Sequence, residues 1–152
     1  MRSFLILVAA GGSAALLLGA LAFQYYGGLP PCDLCITQRW PHLAAVVIGA
    51  LALMIRLRLL PWLGALAALT SSAVGLYHTG VERDWWEGPS TCTSASVDKL
   101  TPDQLMEQIM SAPLIRCDEV AWDLFGLSMA SWNAILALIL ALIWVAAAQT
   151  RR

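Results

Sequence analysis

The chain predicts an all-α membrane protein, a four-transmembrane-helix bundle with one long extracytoplasmic loop. Three observations lead there. The 152 residues are 59% hydrophobic and only 12% charged, about half the charge fraction usual in a soluble domain. Four apolar stretches, residues 4–23, 41–55, 59–77 and 129–148, divide the sequence. The acidic residues avoid all four. Packed as a soluble core, such helices would leave almost no polar face for water.

The elements follow in order. Residues 4–24 make a first span, near the roughly 20 residues that a bilayer core requires. Arg2 before it and Ala20-Leu21-Ala22 near its end share features with a signal peptide. The apolar run is longer than a usual signal h-region, so an uncleaved helix is expected. A loop over about 25–35 follows. The second apolar stretch is short, and residues 36–40 lengthen it to a span over 36–55. A third span covers 59–78, a long loop 79–128, and a last span 129–148, all in one membrane domain, 1–152. Inside the long loop, Thr101-Pro102-Asp103-Gln104 reads as a helix start, with Thr as cap and Pro in the first turn. Leu105, Met106, Ile109 and Met110 would give this short amphipathic helix one apolar stripe, which suits the membrane surface.

With four spans, both termini and the 56–58 turn share a side. Arg2, Arg56, Arg58, Arg151 and Arg152 fall there. Arg39, Arg83, Lys99, Arg116 and all 10 acidic residues fall on the other. Basic residues near span ends favour the cytoplasm, so the termini are expected inside and the long loop outside. Trp40, Trp85, Trp86, Trp122 and Trp132 are expected at the outer interface, and Trp62 and Trp144 at the inner one. A net charge of −1 without a basic tract gives no sign of a nucleic-acid partner.

The chemistry lies in four cysteines. Cys32-Asp33-Leu34-Cys35 follows the first span, and Cys92 and Cys117 lie in the long loop. This topology puts all four on the outer side, where disulfides persist. Zinc would want a second C-x-x-C or a histidine pair, and His42 and His78 are not paired. Covalent haem would want His at position 36, which is Ile36. A thioredoxin domain would need a βαβ frame that is absent. A redox pair and a structural staple remain. Pro30-Pro31 ahead of a helix start places the C-x-x-C at a helix N-terminus, which favours thiolate. Arg39, four residues after Cys35, falls on the same face one turn deeper and would favour it further. An arginine so near hydrocarbon is a functional candidate; the alternative is snorkelling to headgroups. A disulfide between Cys92 and Cys117 is expected to be exposed and labile.

These residues resemble the DsbB family of bacterial inner-membrane thiol oxidases. Phe23-Gln24, Pro31-Cys32-Asp33-Leu34-Cys35-Ile36 and Arg39 are similar to the family's first outer loop. Tyr77-His78-Thr79 resembles the end of its third helix. Trp122-Asp123-Leu124-Phe125-Gly126-Leu127 with Trp132 resembles the start of its fourth. Cysteine order, span number and loop lengths agree, and the likeness covers nearly the whole chain. Gln38 stands where the best-known member of the family has an acidic residue. The resemblance implies a protein-dithiol:quinone oxidoreductase. It would reoxidise a DsbA-like periplasmic thiol oxidase and pass the electrons to membrane quinone, ubiquinone or menaquinone. It implies that Cys92 meets the partner protein, Cys117 pairs transiently with Cys32, and Cys35 meets the quinone. Arg39 and His78 would lie at the quinone headgroup, and no metal is expected. For His78 the residues alone also allow a polar helix-end group bonded to backbone. Two alternatives stand beside this reading: a paralogue with another thiol partner, and a disulfide-stapled scaffold without redox activity.

Overall fold

The computed structural model describes residues 1–55, 57–93, 101–103, 106, 110 and 115–150. Four helices carry the fold: α1 (Arg2–Tyr25), α2 (Asp33–Ile55), α3 (Leu60–Glu82) and α4 (Met129–Gln149). All four are long and apolar enough to cross a membrane. A two-stranded hairpin, β1 (Asp123–Leu124) and β2 (Leu127–Ser128), leads into α4. Phe125 and Gly126 turn it with φ of 56° and 75°, the doubly positive pattern of a tight hairpin turn. Ser128 then caps α4, its Oγ accepting from the Ser131 amide at 3.2 Å. Arg56, Lys99, Arg151 and Arg152 lie outside the described residues, as do Gln104, Leu105 and Ile109 of the expected loop helix. Of that helix's stripe, Met106 and Met110 are described, and both are exposed.

The helices form a ring in sequence order. α1 packs on α2 and α4, α3 packs on α2 and α4, and α1 and α3 scarcely meet. Their outer faces carry large apolar side chains such as Phe4, Leu18, Val47, Leu66 and Leu142, all exposed. Their inner faces carry small ones, which let backbones approach where the surrounding solvent is as apolar as the core. Gly64 shows the need: a Cβ there would lie 2.6 Å from the Trp144 ring. Trp144 is 0% exposed and sits among Ile6, Ala9, Ala65 and Ala141. The inner-interface position expected for it is therefore corrected. The open space over Gly64 draws the indole into the bundle instead of leaving it at the headgroups.

Two helix ends differ from the apolar pattern, and both bear on the site. α2 begins at Asp33, not at 36, because the Cys32 carbonyl already accepts from the Ile36 amide at 3.0 Å. Cys35 thus sits in the first turn. α3 runs past residue 78 to Glu82. Its last turn is covered by Trp86, whose ring lies where a Cβ on Gly80 would be and whose Nε1 donates to the Tyr77 carbonyl at 2.9 Å. At the opposite end, Arg2 Nη2 donates to the Leu57 carbonyl at 2.8 Å, tying the N-terminus to the α2–α3 turn.

Candidate functional site

The buried residues of α2 include Leu34, Gln38, His42, Ala45, Gly49 and Ala52, spacings of three and four that trace one helical face. Cys35 and Arg39 line the adjacent strip. From α3, Ser71, His78 and Thr79 face inward; from α4, Ser131 does so. The cysteine end of the bundle is therefore lined by polar side chains from three helices.

All four cysteines meet there. Cys92 and Cys117 form a disulfide, while Cys32 and Cys35 are free, with sulfurs 2.7 Å apart. Cys32, Cys92 and Cys117 share one apolar cluster with Leu34 and Val81, and Cys35 packs against it. The expectation of an exposed loop disulfide is corrected, since Cys92 is 1% and Cys117 0% exposed. The added turn of α3 supplies Val81 as its floor, and the Cys117 amide donates back to the Cys92 carbonyl at 2.6 Å.

Cys32 occupies the cap position of α2, its sulfur accepting from the Cys35 amide at 3.3 Å. Its thiol donates to the Cys35 sulfur. That bond, with burial behind it, pushes the Cys32 thiol up from its ordinary 9.0. His78 stands between the two pairs: its Nε2 is 3.6 Å from the Cys32 sulfur and 3.2 Å from the Cys117 carbonyl oxygen. Both sequence readings of His78, a backbone-bonded residue and a site residue, describe part of this position. Glu82, one turn on, is 3.8 Å from His78 Nε2 and accepts from the Ser128 hydroxyl.

Arg39 is half-buried and donates from Nη1 to Gln24 Oε1 at 2.6 Å. With Cys35, Gln38, His42, His78 and Asn133 it lines a cavity of about 370 Å³ whose other walls include Leu16, Phe23, Trp122, Trp132 and Leu136. A mostly apolar cleft with a few convergent polar groups is the usual form of a small-molecule site. The sequence reading missed Gln24, His42, Glu82 and Asn133 as site residues and took Gln38 only as a departure. A signal was present for Gln24, His42 and Asn133, because polar side chains inside apolar spans are costly and so mark function; Glu82 lay beyond the expected span and carried none.

Cys32, Cys35 and His78 also bring three metal-capable atoms within 4.8 Å of one another. Two thiolates on one tetrahedral zinc would sit about 3.8 Å apart, given Zn–S near 2.3 Å. At 2.7 Å the two sulfurs are arranged to bond each other rather than to share an ion.

A family model described as disulfide bond formation protein DsbB matches residues 2–147. The chain belongs to the DsbB family. Curated relatives named disulfide bond formation protein B include one from Pasteurella multocida (strain Pm70), 35% identical over 144 residues, covering 88% of this chain and 81% of the relative. One from Shewanella sp. (strain MR-4) is 34% identical over 136 residues, covering 85% and 77%. Disulfide bond formation protein B 2 of Pseudomonas aeruginosa (strain PAO1) is 33% identical over 142 residues, covering 89% and 83%. No solved structure matches at a significant level. Membership of the DsbB family, with four spanning helices, makes this a multi-pass membrane protein of disulfide bond formation. It is a disulfide-forming oxidoreductase whose family works with a thiol-oxidase partner.

Proposed function

We propose that this protein reoxidises a DsbA-like periplasmic thiol oxidase and passes the electrons to membrane quinone, ubiquinone or menaquinone. It would do so in the bacterial inner membrane, with termini cytoplasmic and cysteines periplasmic. The distribution of arginines supports that orientation. The observation that carries the proposal is the placing of one bonded and one free cysteine pair in a single cluster, beside a cleft that Cys35 lines.

The residues support a relay by thiol–disulfide exchange. A thiolate of the partner attacks Cys92 and displaces Cys117 as thiolate. The partner's second thiolate then attacks the mixed disulfide, leaving oxidised partner and a Cys92, Cys117 dithiol. Cys117 attacks Cys32 of an oxidised Cys32–Cys35 bond and displaces Cys35. Cys92 closes on Cys117, which restores the loop disulfide and frees Cys32. The net change is one dithiol oxidised and one disulfide reduced at each exchange. His78 Nε2 touches both pairs and can steady a Cys32 thiolate by hydrogen bonding. Arg39 is held by Gln24 at the cleft wall, where its remaining N–H groups are available to an anionic sulfur or a carbonyl oxygen.

The cleft fits a quinone: its walls are largely apolar, and Arg39 supplies a donor for a carbonyl oxygen. Bound there, a quinone would supply the sink for two electrons and two protons. The test is stopped-flow absorbance of quinone on mixing the purified protein with reduced DsbA-like partner. Quinone loss at catalytic protein levels, abolished in Cys35→Ser, is the expected result. Four cysteines that stay oxidised and inert, without quinone loss, would move the reading to a structural staple.

A further inference from the structure

His78 stands between the two cysteine pairs, and each of its ring nitrogens has a partner. Gln38 Nε2 lies 2.9 Å from His78 Nδ1 and 3.2 Å from the Leu34 carbonyl oxygen. Gln38 Oε1 accepts from Asn133 Nδ2 at 2.8 Å. Asn133 Nδ2 also lies 3.2 Å from Ser71 Oγ and 3.4 Å from the Ser71 carbonyl oxygen, and Asn133 Oδ1 lies 2.9 Å from His42 Nε2. On the far side of the His78 ring, Nε2 lies 3.2 Å from the Cys117 carbonyl oxygen and 3.6 Å from the Cys32 sulfur.

An amide can present its nitrogen or its oxygen to a neighbour, so its direction is decided by what surrounds it. Here the backbone decides it twice. A flipped Gln38 would set Oε1 against the Leu34 carbonyl oxygen, and a flipped Asn133 would set Oδ1 against the Ser71 carbonyl oxygen. Both arrangements face acceptor with acceptor. Gln38 therefore gives one amide hydrogen to Leu34 and the other to His78 Nδ1, so that nitrogen carries no proton. The Cys117 carbonyl oxygen only accepts, and it requires the same from the other side: the ring proton sits on Nε2. A second proton on Nδ1 would meet the Gln38 amide hydrogens, so the ring is also held neutral. Gln38 and His78 are both buried, where a mismatch of donor and acceptor is costly.

We propose that Gln38 holds His78 as an N–H donor at Nε2, and that this donor makes Cys32 the sulfur that leaves when the Cys32–Cys117 bond of the relay breaks. The inference rests on the relay proposed above. That bond can break in two ways. Cys92 can attack Cys117: the Cys92–Cys117 bond forms, the Cys117–Cys32 bond breaks, and the electron pair leaves on the Cys32 sulfur. The proton that Cys92 gives up as it becomes the nucleophile balances the one that Cys32 takes up after leaving. Alternatively Cys35 can attack Cys32, which re-forms the Cys32–Cys35 bond, expels Cys117 and undoes the exchange. The sulfur whose thiolate is better stabilised leaves faster. Two N–H groups meet the Cys32 sulfur, His78 Nε2 and the Cys35 amide at 3.3 Å. His78 meets Cys117 at its carbonyl oxygen and not at its sulfur. The structure holds the pairs as the forward step leaves them: Cys92 is bonded to Cys117, and Cys32 is free with His78 Nε2 still beside it. His78 is thereby a catalytic residue of the exchange, and Gln38, acting through it, a positioning residue.

The test is a single turnover of the full-length protein in micelles, with decyl-ubiquinone and one equivalent of reduced DsbA-like partner. Samples are quenched in acid at intervals, free thiols are alkylated, and disulfide-linked peptides are mapped by mass spectrometry. In Gln38→Leu the Cys32–Cys117 link is expected to accumulate and to decay about tenfold more slowly than in the native chain, the effect of one hydrogen bond. Formation of the link, in which Cys35 is the leaving sulfur, is expected to change by less than about twofold. A purely structural role for Gln38 would slow both steps alike, and that result overturns the proposal. Imidazole 15N shifts of the native chain, labelled at histidine, need no variant and keep the test open if Gln38→Leu does not fold. They are expected to show His78 neutral and protonated at Nε2; a proton on Nδ1 overturns the proposal. Links that form and decay alike in both proteins overturn this inference alone. Partner oxidation with no Cys32–Cys117 link in either protein overturns the relay together with it.

Discussion

Around Trp144 the bundle closes by apolar contact: Ile6, Ala9, Ala65 and Ala141 fill the space, and the indole Nε1 has no partner among the described residues. Around Gln38, at the cysteine end, the same four helices enclose amides, imidazoles, a carboxylate and a cleft. The first region gains from packing density, which any loss of volume weakens. The second gives up density and depends on each polar group finding its partner. Stability and chemistry are thus invested at opposite ends of one ring of helices, and each end should answer to a different kind of damage.

The largest effect is expected at the cysteines. Cys35→Ser should reduce partner reoxidation to background, roughly a thousandfold or more for a group the reaction cannot replace, while thermal unfolding in micelles changes little. Loss of any of the other three should also stop turnover. Turnover surviving in Cys35→Ser would break the comparison at its chemical end.

Trp144→Ala is the matching change at the packed end. Removing a fully buried indole should cost about 3–5 kcal/mol, read as a shift in unfolding by denaturant or heat. Quinone affinity measured on the fraction that remains folded should be unchanged. A change in affinity as large as the change in stability would show that the two ends are one cooperative unit.

Gln38→Leu tests the polar end without touching a sulfur. It takes the Gln38 Nε2 donor from His78 Nδ1 and one acceptor, Gln38 Oε1, from Asn133 Nδ2, which keeps Ser71 Oγ, at a cost of about 1–3 kcal/mol. It should also free the His78 tautomer, visible in imidazole 15N shifts. A cost below about 0.5 kcal/mol would mean that water replaces the amide.

The smallest effect concerns pH. The folded protein raises the Cys32 thiol above its ordinary 9.0 through its bond to Cys35 and burial, so folding favours the protonated form. This contribution to the reduced protein is complete below about pH 9 and is lost as pH rises beyond it. Alkylation of the reduced protein between pH 7 and pH 9 should therefore label Cys35 and spare Cys32. Equal labelling would remove the asymmetry assigned to the pair.

Much of this was legible in the chain before any coordinates. The spans were readable because the bilayer's demand is local: about 20 apolar residues in a row. Cys32, Cys35 and Arg39 were readable because their spacing places them within two helical turns. The amide network was not, since Gln38 and Asn133 are 95 positions apart and His42 and Asn133 are 91. Such pairs depend on how each helix is rotated, and a helix that is apolar nearly all round gives little sign of its rotation. Trp144 misled for the same reason: its place in sequence suits an interface, and only the gap over Gly64 shows where the ring goes. The buried loop disulfide depended on an added last turn at the end of α3, which the apolar run ending near residue 77 did not announce.

The burial of Cys92 and Cys117, at 1% and 0% exposure, has a kinetic meaning. A sulfur without a path to its surface cannot be attacked in line, whatever the potential of the attacking thiol. Small soluble thiols drifting past therefore meet apolar cover before they reach either sulfur. A protein partner differs in having area enough to displace that cover as it docks. The step that admits electrons is then one of shape, and the choice among reductants is made before any bond to sulfur is formed.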